Sequence, residues 1–487
     1  MYVKYIFAWI CSLPLAFAAT AHGAETRPPR LQPEGWDSQV TLVAAADLNP
    51  DPRIVEVDLD ARVASVELTP GVRTEVWTYN GALPGPLIRA HAGDRVIVHF
   101  SNHLPEPTTV HWHGVRVPIQ MDGVPDISQP PVPSAGVFTY DFVVPDPGLF
   151  WYHPHVLSAA QVGFGLYGAL LVEDPDDPVS VGDETVLVLS DIGLESDGRL
   201  EPPDSGGSTG MAFGREGTTL LVNGRVRPKL VVRSGAPQRW RIVNAAKSRF
   251  FQFDLDGQLM TRIGGDGGLM EEPQRLDTLV LAPGERADIL VSPKGKPGST
   301  YDVVAVPFNR GYGSVEYRLA EPLFTLVFDK AAEYTGPQPT PVRRPIEPLA
   351  TDAATPVNIE FTMAQQGGRF EYGINGIPFA AGHPIVAVPG STQLWTITNK
   401  TKWSHPFHLH GFFFQVLDGQ GAPVHPLEWK DTFNVPLEST IKLVVRYDDR
   451  VGSWMFHCHV LDHADGGLMG MVDVGVAPSG HVHRGAN

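Results

Sequence analysis

Short runs of apolar and β-branched residues recur along the chain between turn-forming residues. Arg95–Phe100 and Thr278–Leu281 are examples, and Gly and Pro together supply about a fifth of all residues. Runs of about four to eight such residues bounded by Gly or Pro are typical of β-strands. The pattern therefore predicts an all-β protein of the sandwich type.

One strand-like run occurs three times. In each copy an Asn-Gly pair precedes a run that starts at a Gly and closes at an Asn nine residues later. The pairs begin at Asn80, Asn223 and Asn375, and the runs are Gly93 to Asn102, Gly235 to Asn244 and Gly390 to Asn399. A repeat at offsets of about 140 to 155 residues predicts three similar β-sandwiches.

Two proline-rich segments, residues 173–178 and 336–348, have the composition of linkers. The length of 487 residues also suits about three domains. We therefore expect domains at residues 51–175, 176–340 and 341–478. A lead-in arm at 25–50 would precede them, and a loose tail at 479–487 would follow.

The N-terminus has Lys4 followed by an apolar run from Tyr5 to Ala19 that ends in small residues. Because this run is shorter than the ~20 residues of a membrane span, it predicts a secretory signal over residues 1–24, cut between Ala18 and Ala24. No later segment is long and apolar enough to span a bilayer. We expect a periplasmic or extracellular protein without a stable membrane anchor.

The net charge and the cysteine count restrict which partners and ligands the protein can have. A formal charge of −17 argues against a nucleic-acid partner, which requires basic surface. Cys11 lies in the predicted signal, so the mature chain keeps only Cys458. A lone thiol in an oxidising compartment needs protection, and binding a metal would provide it.

Ten of the eighteen histidines form four groups. The groups are His111 and His113; His153 and His155; His405, His408 and His410; and His457, His459 and His463. Alternate residues of a strand share a face, so each His-x-His pair directs both imidazoles one way. A single pair fits an exposed face or a lone zinc site. Four groups, split between the first and third predicted domains, indicate one shared interdomain site. The middle domain would be a spacer or would shape access.

Cys458 stands between two histidines, and thiolate with imidazole is a ligand set that copper prefers. Zinc would neither need ten histidines nor favour one bracketed cysteine. His405, Cys458 and His463, with a weak axial neighbour, match the trigonal blue-copper pattern. The remaining eight histidines are enough for three more coppers.

The chain resembles the multicopper oxidases, and among them the bacterial three-domain laccases, over about residues 45–477. Four stretches carry the resemblance: His-Trp-His-Gly at 111–114, Trp-Tyr-His-Pro-His at 151–155, His-Pro-Phe-His-Leu-His-Gly at 405–411, and His-Cys-His at 457–459 with His463. Residues 239–241 and 282–288 also look like the family, although they carry no ligands. The resemblance implies three consecutive cupredoxin-like Greek-key β-sandwiches and four coppers.

The resemblance also implies the ligand sets. The type 1 copper would be held by His405, Cys458 and His463, and the type 2 copper by His111 and His408. The two type 3 coppers would be held by His113, His153 and His459, and by His155, His410 and His457.

The implied activity couples four one-electron oxidations of substrate to reduction of O2 to two waters. An electron arriving at Cys458 would reach the cluster through its chain neighbours His457 and His459. Asp122 matches a family acid near the type 2 copper and is a candidate proton relay. It could equally be an Asp-Gly turn residue.

Two positions depart from many bacterial members. Ala464 replaces an acidic residue that is thought to deliver protons, and Asp465 or another group could substitute for it. Leu468, ten residues after Cys458, replaces an axial Met, and Met469 on a strand should face away. A non-coordinating Leu468 predicts a more oxidising type 1 copper.

Three functions follow. The first is laccase-like oxidation of phenols and aromatic amines at a shallow cleft beside the type 1 copper. The alternative is oxidation of cuprous or other low-valent metal ions for metal tolerance, which is disfavoured because the nine methionines form no Met-rich insertion. The third is a copper-free envelope scaffold, which retention of all ligands disfavours.

Four residues near the ligands could contact the substrate or be ordinary packing or surface residues: Trp403, Glu428, Trp429 and Asp431.

Overall fold

The structure is a computed structural model that describes residues 40–476 except 70, 180, 256, 312–317 and 341–342. The predicted signal peptide, most of the predicted arm and the predicted tail lie outside the described residues. Within the described part of the chain, no helix has the length and apolarity needed to cross a bilayer.

Eight strands build the first sandwich. They are β1 (Ile54–Thr69), β2 (Val72–Tyr79), β3 (Gly85–His91), β4 (Arg95–Asn102), β5 (His111–His113), β6 (Val137–Val143), β7 (Gly148–His153) and β8 (Gly168–Glu173). The two sheets have the orders β2-β1-β4-β6 and β3-β8-β7-β5. Apolar side chains from both sheets, such as Leu59 and Tyr152, form one buried core. Helix α1 (Ser158–Gly163) connects β7 to β8.

The second sandwich is the largest. Its strands are β9 (Asp183–Ile192), β10 (Thr219–Val222), β11 (Lys229–Val232), β12 (Gln238–Asn244), β13 (Phe251–Asp254), β14 (Met260–Gly265), β15 (Gly268–Leu276), β16 (Thr278–Leu281), β17 (Arg286–Val291), β18 (Thr300–Val306) and β19 (Glu321–Phe328). They form sheets β10-β9-β12-β17-β14-β15 and β11-β19-β18-β13-β16. Helix α2 (Gly207–Phe213) lies in the connection between β9 and β10.

The third sandwich consists of two five-stranded sheets. Its strands are β20 (Thr355–Gln366), β21 (Arg369–Ile374), β22 (Ile385–Ala387), β23 (Thr392–Asn399), β24 (His405–Leu409), β25 (Phe414–Leu417), β26 (Thr432–Val435), β27 (Thr440–Arg446), β28 (Gly452–Cys458) and β29 (Met469–Val474). The orders are β21-β20-β23-β27-β25 and β22-β29-β28-β24-β26. Helix α3 (Leu461–Asp465) connects β28 to β29. Short 3-10 turns lie at Ile119–Met121 and Phe379–Ala381. The predicted all-β fold is confirmed.

The repeated sequence run has the same position in all three sandwiches. It ends as β4, β12 or β23, each of which pairs in parallel with the first strand of its sandwich. The closing Asn uses both ends of its amide: in the first copy, Asn102 Oδ1 accepts from the Leu104 N–H at 3.0 Å and Nδ2 donates to the Val132 carbonyl at 2.9 Å. Asn244 and Asn399 repeat this arrangement. The amide therefore fixes the chain where it leaves the central strand.

The Asn-Gly pairs of the repeat form tight turns. Both residues of each pair have positive φ, which Asn and Gly adopt at least cost. The Asn side chains then accept a hydrogen bond from the neighbouring strand, as Asn80 does from the Asp60 N–H at 2.6 Å. The same turn therefore recurs next to the first strand of each sandwich.

A shared apolar cluster joins the sandwiches. Leu149 and Trp151 of the first sandwich pack with Val186 and Val243 of the second, and Leu461 of the third joins the same buried group. The contact fixes the ends of β5 and β7 opposite the ends of β24 and β28. All four grouped histidine stretches meet at this boundary.

Candidate metal centres

Paired strands bring the histidines together. In the first sandwich β5 and β7 are antiparallel with His111 opposite His153. In the third, β24 and β28 are antiparallel with His408 opposite His457. Alternation along each strand then directs the remaining imidazoles toward the same boundary.

Eight imidazoles converge there, and we call them the histidine cluster: His111, His113, His153, His155, His408, His410, His457 and His459. Three sets within it have ligand atoms within 4.8 Å of one another: His111, His113 and His408; His113, His153 and His459; and His155, His410 and His457. Rings from the two sandwiches stack face to face, with centroids 3.8 Å apart for His113 and His408 and 3.9 Å for His111 and His410. Each set thus draws on both sandwiches.

The nitrogen atoms of the histidine cluster fit metal ions. His410 Nδ1 donates to the Asp122 carboxylate at 2.9 Å, and His457 Nδ1 donates to the Cys458 carbonyl at 2.9 Å. Burial lowers the pKa of His410 to about 3, and it also holds the pKa of His457 well below its usual range, so both rings are neutral. Their unprotonated Nε2 atoms are nevertheless only 3.1 Å apart. Two lone pairs at that distance repel unless a cation lies beside them.

Other ring nitrogens of the cluster are buried without a hydrogen-bond partner. They are His111 Nε2, His113 Nδ1, His153 Nε2, His408 Nε2 and both nitrogens of His459. Each such atom costs on the order of 1–3 kcal/mol unless a metal or water binds it. A group of such unpaired nitrogen atoms in one place indicates a metal-binding site.

The second candidate centre is the Cys458 group, consisting of His405, Cys458 and His463, all fully buried. Cys458 Sγ lies 3.3 Å from His405 Nδ1 and 3.6 Å from His463 Nδ1, and the two nitrogens are 3.0 Å apart. Burial lowers the pKa of His405 to about 3 and raises the pKa of the Cys458 thiol. Two neutral imidazoles and one sulfur therefore face a common point.

The outer nitrogens of the Cys458 group are fixed by hydrogen bonds. His405 Nε2 donates to the Thr401 hydroxyl oxygen at 2.7 Å, and His463 Nε2 donates to the Ala212 carbonyl at 3.1 Å. These bonds leave both Nδ1 atoms as acceptors for a metal. Leu468 is fully buried in the same core as Cys458, and its carbonyl accepts the Cys458 N–H at 3.0 Å.

His463 is covered by residues 204–216, which we call the cover segment and which include α2. Phe213 packs against Trp403 with ring centroids 5.0 Å apart, and the hydroxyl of Tyr372 donates to the same Ala212 carbonyl that His463 uses. His463 has no exposed surface. The cover segment, inserted between β9 and β10, therefore lies between this imidazole and solvent.

Charged pairs anchor the cover segment at its C-terminal end. The Arg215 N–H donates to Asp462 Oδ2 at 2.7 Å, and the Arg215 guanidinium also bonds this carboxylate. Glu216 lies 3.1 Å from Arg310 and 3.4 Å from Arg249. Neither anchor was foreseen from sequence, because the partners lie far away along the chain.

Asp122 joins ligands from two sandwiches. Its carboxylate accepts from His410 Nδ1 at 2.9 Å, and its backbone carbonyl accepts from His111 Nδ1 at 2.7 Å. Burial alone would raise the pKa of Asp122, but His410 and His111 outweigh this effect and hold the pKa below its usual range. Asp122 is 1% exposed, so it is more than a surface turn residue.

Asp431 has the matching role on the other side of the histidine cluster. His113 Nε2 donates to its carboxylate at 3.2 Å, and His408 Nδ1 donates to its carbonyl at 2.9 Å. Arg286, from β17 of the middle sandwich, bonds both carboxylate oxygens. Burial would raise the pKa of Asp431, but Arg286 outweighs burial and holds the pKa well below its usual range.

The middle sandwich was expected to be a spacer or to shape access, but Arg286 shows a further role. Its guanidinium is fully buried and also contacts the carbonyls of Leu149 and Asp266. Sequence singled out residues 282–288 as family-like but gave Arg286 no role. Sequence places Asp431 near the ligands and indicates no bond between it and Arg286.

A large cavity of about 1040 Å³ opens beside the histidine cluster and reaches His155 and His457. Ala464 and Asp465 line it. Asp465 accepts the Ala159 N–H at 2.9 Å, and desolvation by the surrounding protein, together with the nearby Asp462 carboxylate, raises its pKa. Because the side chain is exposed to the cavity, water there opposes this rise.

Comparison with known proteins agrees with the fold and the metal centres. Family models described as multicopper oxidase match residues 60–177, 183–316 and 350–478. The chain belongs to the multicopper oxidase family. Members of this family use four coppers of types 1, 2 and 3, and the histidine cluster and the Cys458 group are consistent with such sites.

Individual relatives carry different names. The chain is 31% identical to a multicopper oxidase, MmcO, of Mycobacterium tuberculosis, covering 86% of this chain and 87% of that protein. It is 27% identical to a laccase of Bacillus subtilis, covering 82% and 90%. Among solved structures, a multi-copper oxidase from Pseudomonas thermotolerans has a TM-score of 0.75 at 31% identity, covering 86% and 99%. One from Campylobacter jejuni, described as a metallo-oxidase, has a TM-score of 0.79 at 26% identity, covering 92% and 98%.

Proposed function

We propose that this multicopper oxidase is laccase-like and couples four one-electron oxidations of phenolic or aromatic reductants to reduction of O2 to two waters. In this proposal His405, Cys458 and His463 hold the type 1 copper, and His111 and His408 hold the type 2 copper. The type 3 coppers are held by His113, His153 and His459, and by His155, His410 and His457. When bound, these coppers supply one-electron oxidation of the reductant and four-electron reduction of O2.

The observation that carries the proposal is the connection between the two centres. Cys458 belongs to one centre, and its chain neighbours His457 and His459 belong to the other. Only main-chain and side-chain bonds separate the sulfur from both imidazoles. Cys458 and His459 have no exposed surface and His457 is 1% exposed, so the connection runs through the protein interior.

Two carboxylates are placed to handle protons. Asp122 contacts His410 and His111 inside the protein, and Asp465 faces the large cavity. Asp465 lines the cavity and accepts the Ala159 N–H at 2.9 Å, so its carboxylate is placed to exchange protons with water there. We assign Asp122 as a proton relay and Asp465 as the replacement for the acid missing at Ala464.

Two features favour organic reductants. The buried aliphatic side chain of Leu468 next to Cys458 offers no thioether to the copper, which favours the high potential that phenols require. The cover segment has one methionine, Met211, and so lacks the several soft ligands that would select cuprous ion.

A second candidate is oxidation of low-valent metal ions. The observation in its favour is the complete burial of His463 beneath the Ala212 carbonyl. A bulky phenol cannot touch that ring while the cover segment is closed, whereas a small ion bound outside could pass an electron through the hydrogen bond. The Campylobacter jejuni relative described as a metallo-oxidase makes this candidate reasonable.

Side-by-side steady-state turnover of a phenol and of cuprous ion tests the choice. We expect higher kcat/KM for the phenol, and the reverse order would establish the metallo-oxidase instead.

Copper analysis and an absorption spectrum come first. About four coppers per chain with a blue band are expected, and a colourless, copper-free protein would revive the scaffold hypothesis.

A further inference from the structure

Three methionines line the large cavity next to the histidine cluster. Strands β28 and β29 are antiparallel, with Met455 opposite Met471 and His457 opposite Met469. Alternate residues of a strand share a face, so the three thioethers and the His457 ring lie on one face of this strand pair. All four residues line the cavity.

Facing pairs of this kind have Cβ atoms about 4.5–5.5 Å apart, which long thioether side chains can span. Met455 and Met471 are almost fully buried, at 3% and 4% exposure, and Met469 is half-buried. The sulfurs therefore belong to the wall of the cavity rather than to its outer surface. The chain has nine methionines, and three of them converge here although no Met-rich segment exists.

The same cavity carries an excess of negative charge. Its lining includes three carboxylates and one guanidinium: Asp126, Glu371, Asp465 and Arg369. All four side chains are exposed to solvent. Carboxylates that outnumber cations in a concave site raise the local concentration of positive ions.

Next to the thioethers, Ser453 lies opposite Asp473 on the same two strands, and its hydroxyl donates to Asp473 Oδ1 at 2.7 Å. Asp473 is fully buried, and its second oxygen has no hydrogen-bond partner. The strand pair therefore presents a carboxylate, then thioethers, then an imidazole. Thioether and imidazole ligands in this order suit cuprous ion better than hard cations.

We propose that Met455, Met469 and Met471 form a transient binding site for cuprous ion that supplies copper to His155 and His457 during assembly of the histidine cluster. The step is a ligand exchange from thioether sulfur to imidazole nitrogen, and the ion stays monovalent throughout. The proposal rests on the proposed function, because it takes the histidine cluster to be a copper centre.

Silver ion tests the site in the holoenzyme, because it shares the charge and softness of cuprous ion but is not oxidised by the enzyme. In the holoenzyme the copper ligands are already occupied. Isothermal titration should show one silver ion per chain for the native protein. The triple variant Met455→Leu, Met469→Leu, Met471→Leu should bind silver at least about tenfold more weakly, because leucine keeps the volume but lacks the sulfur.

Met363→Leu is the matched control. Met363, on β20, packs against the core of the third sandwich and is not among the residues that line the cavity, so silver binding should persist. The single variant Met471→Leu should show a partial loss and provides a second measurement if the triple variant folds poorly. Equal silver binding by the native and variant proteins, or none by the native protein, would overturn the proposal and leave the methionines as apolar lining.

Loading kinetics separate this proposal from the proposed function. The copper-free full-length chain is mixed anaerobically with cuprous ion at low concentration but in excess of four per chain, and copper retained after desalting is followed over time. We expect the triple variant to load several-fold more slowly than the native protein and to reach the same final content. Equal loading rates would contradict the delivery role, whereas a native content far below four coppers would contradict the proposed function instead.

Discussion

The Nε2 atom of His463 donates a hydrogen bond to the carbonyl of Ala212 across 3.1 Å, and the imidazole has no exposed surface. An external reductant therefore meets α2 before it meets the ring. An electron from the reductant must therefore reach His463 through this hydrogen bond, or the cover segment must move away from the ring.

Loosening the cover segment should favour large reductants. Phe213→Ala removes the ring packed against Trp403, so we expect kcat/KM for bulky phenols to rise about tenfold relative to a small reductant. Steady-state kinetics with phenols of increasing size measure this effect. Met211→Ala, an exposed position on the same helix, should leave the ratio unchanged. An unaltered ratio in Phe213→Ala would mean that the cover does not limit access.

Glu216 should make the anchoring of the cover segment sensitive to acid. Burial would raise the pKa of Glu216, but Arg310 and Arg249 outweigh it and lower the pKa. A lowered pKa in the folded state contributes stability above the ordinary value of about 4.3 and loses it as the pH falls further. Glu216→Gln should therefore cost on the order of 3 kcal/mol at neutral pH.

Denaturant unfolding at several pH values checks this prediction. The difference between the native protein and Glu216→Gln should shrink as the pH falls below about 4. Glu438→Gln serves as control, because Glu438 forms an exposed pair with Lys402 and should change little. A difference that is constant with pH would contradict the role of the Glu216 charge.

Asp122→Asn should separate the two half-reactions. The amide keeps an oxygen for His410 but cannot carry the carboxylate proton, so reduction of O2 should slow by about 100-fold. Anaerobic bleaching of the blue band by substrate should stay fast. Asp126→Asn, an exposed change four residues away, should leave both rates unchanged. Unchanged turnover in Asp122→Asn would exclude the proton role.

Leu468→Met should lower the potential of the type 1 copper. The substitution conserves volume next to Cys458 and offers a thioether, which stabilises the oxidised metal. Redox titration of the blue band gives the potential directly. The same substitution at Leu443, in the same core but on β27, should not move it. A potential equal to the native one would show that position 468 does not face the copper.

Arg286→Lys, a substitution in the middle sandwich, should weaken metal binding by the histidine cluster. A lysine cannot bond both oxygens of Asp431, and the pair is fully buried, so a stability loss of about 3 kcal/mol is expected. Copper per chain should fall together with it, because His113 and His408 both depend on Asp431.

Arg239→Lys provides the comparison for Arg286→Lys. Arg239 bonds Asp288 within the middle sandwich and has no contact with the histidine cluster. The Arg239→Lys substitution should lower the free energy of unfolding without changing the copper content. Full copper content in Arg286→Lys would show that Asp431 holds its position without the guanidinium.

Sequence predicted the features that depend on local order. Positive φ at Asn80 and the bond from the Leu104 N–H to Asn102 Oδ1 are encoded within a few residues, and so the triple repeat is recognisable. The direction of the His-x-His pairs follows from strand alternation alone. The fold class and the family resemblance both followed from such signals.

Features that depend on distant register could not be predicted. Arg286 and Asp431 are 145 residues apart, and Met455 meets Met471 only because of the register of β28 with β29. The cover segment is rich in glycine and carries no histidine or cysteine, so its sequence does not indicate that Ala212 lies against His463. Long-range pairing leaves no periodic trace in a single sequence.

The contact between Asp122 and His410 joins positions 288 residues apart. A metal held by imidazoles on both sides of that contact would act as a cross-link, closing a loop that spans most of the chain. The entropy of an open loop grows with the logarithm of its length, so such a closure restricts the unfolded chain strongly. The bound coppers would then restrain the chain as disulfides do in other proteins, and the described residues contain one cysteine, Cys458.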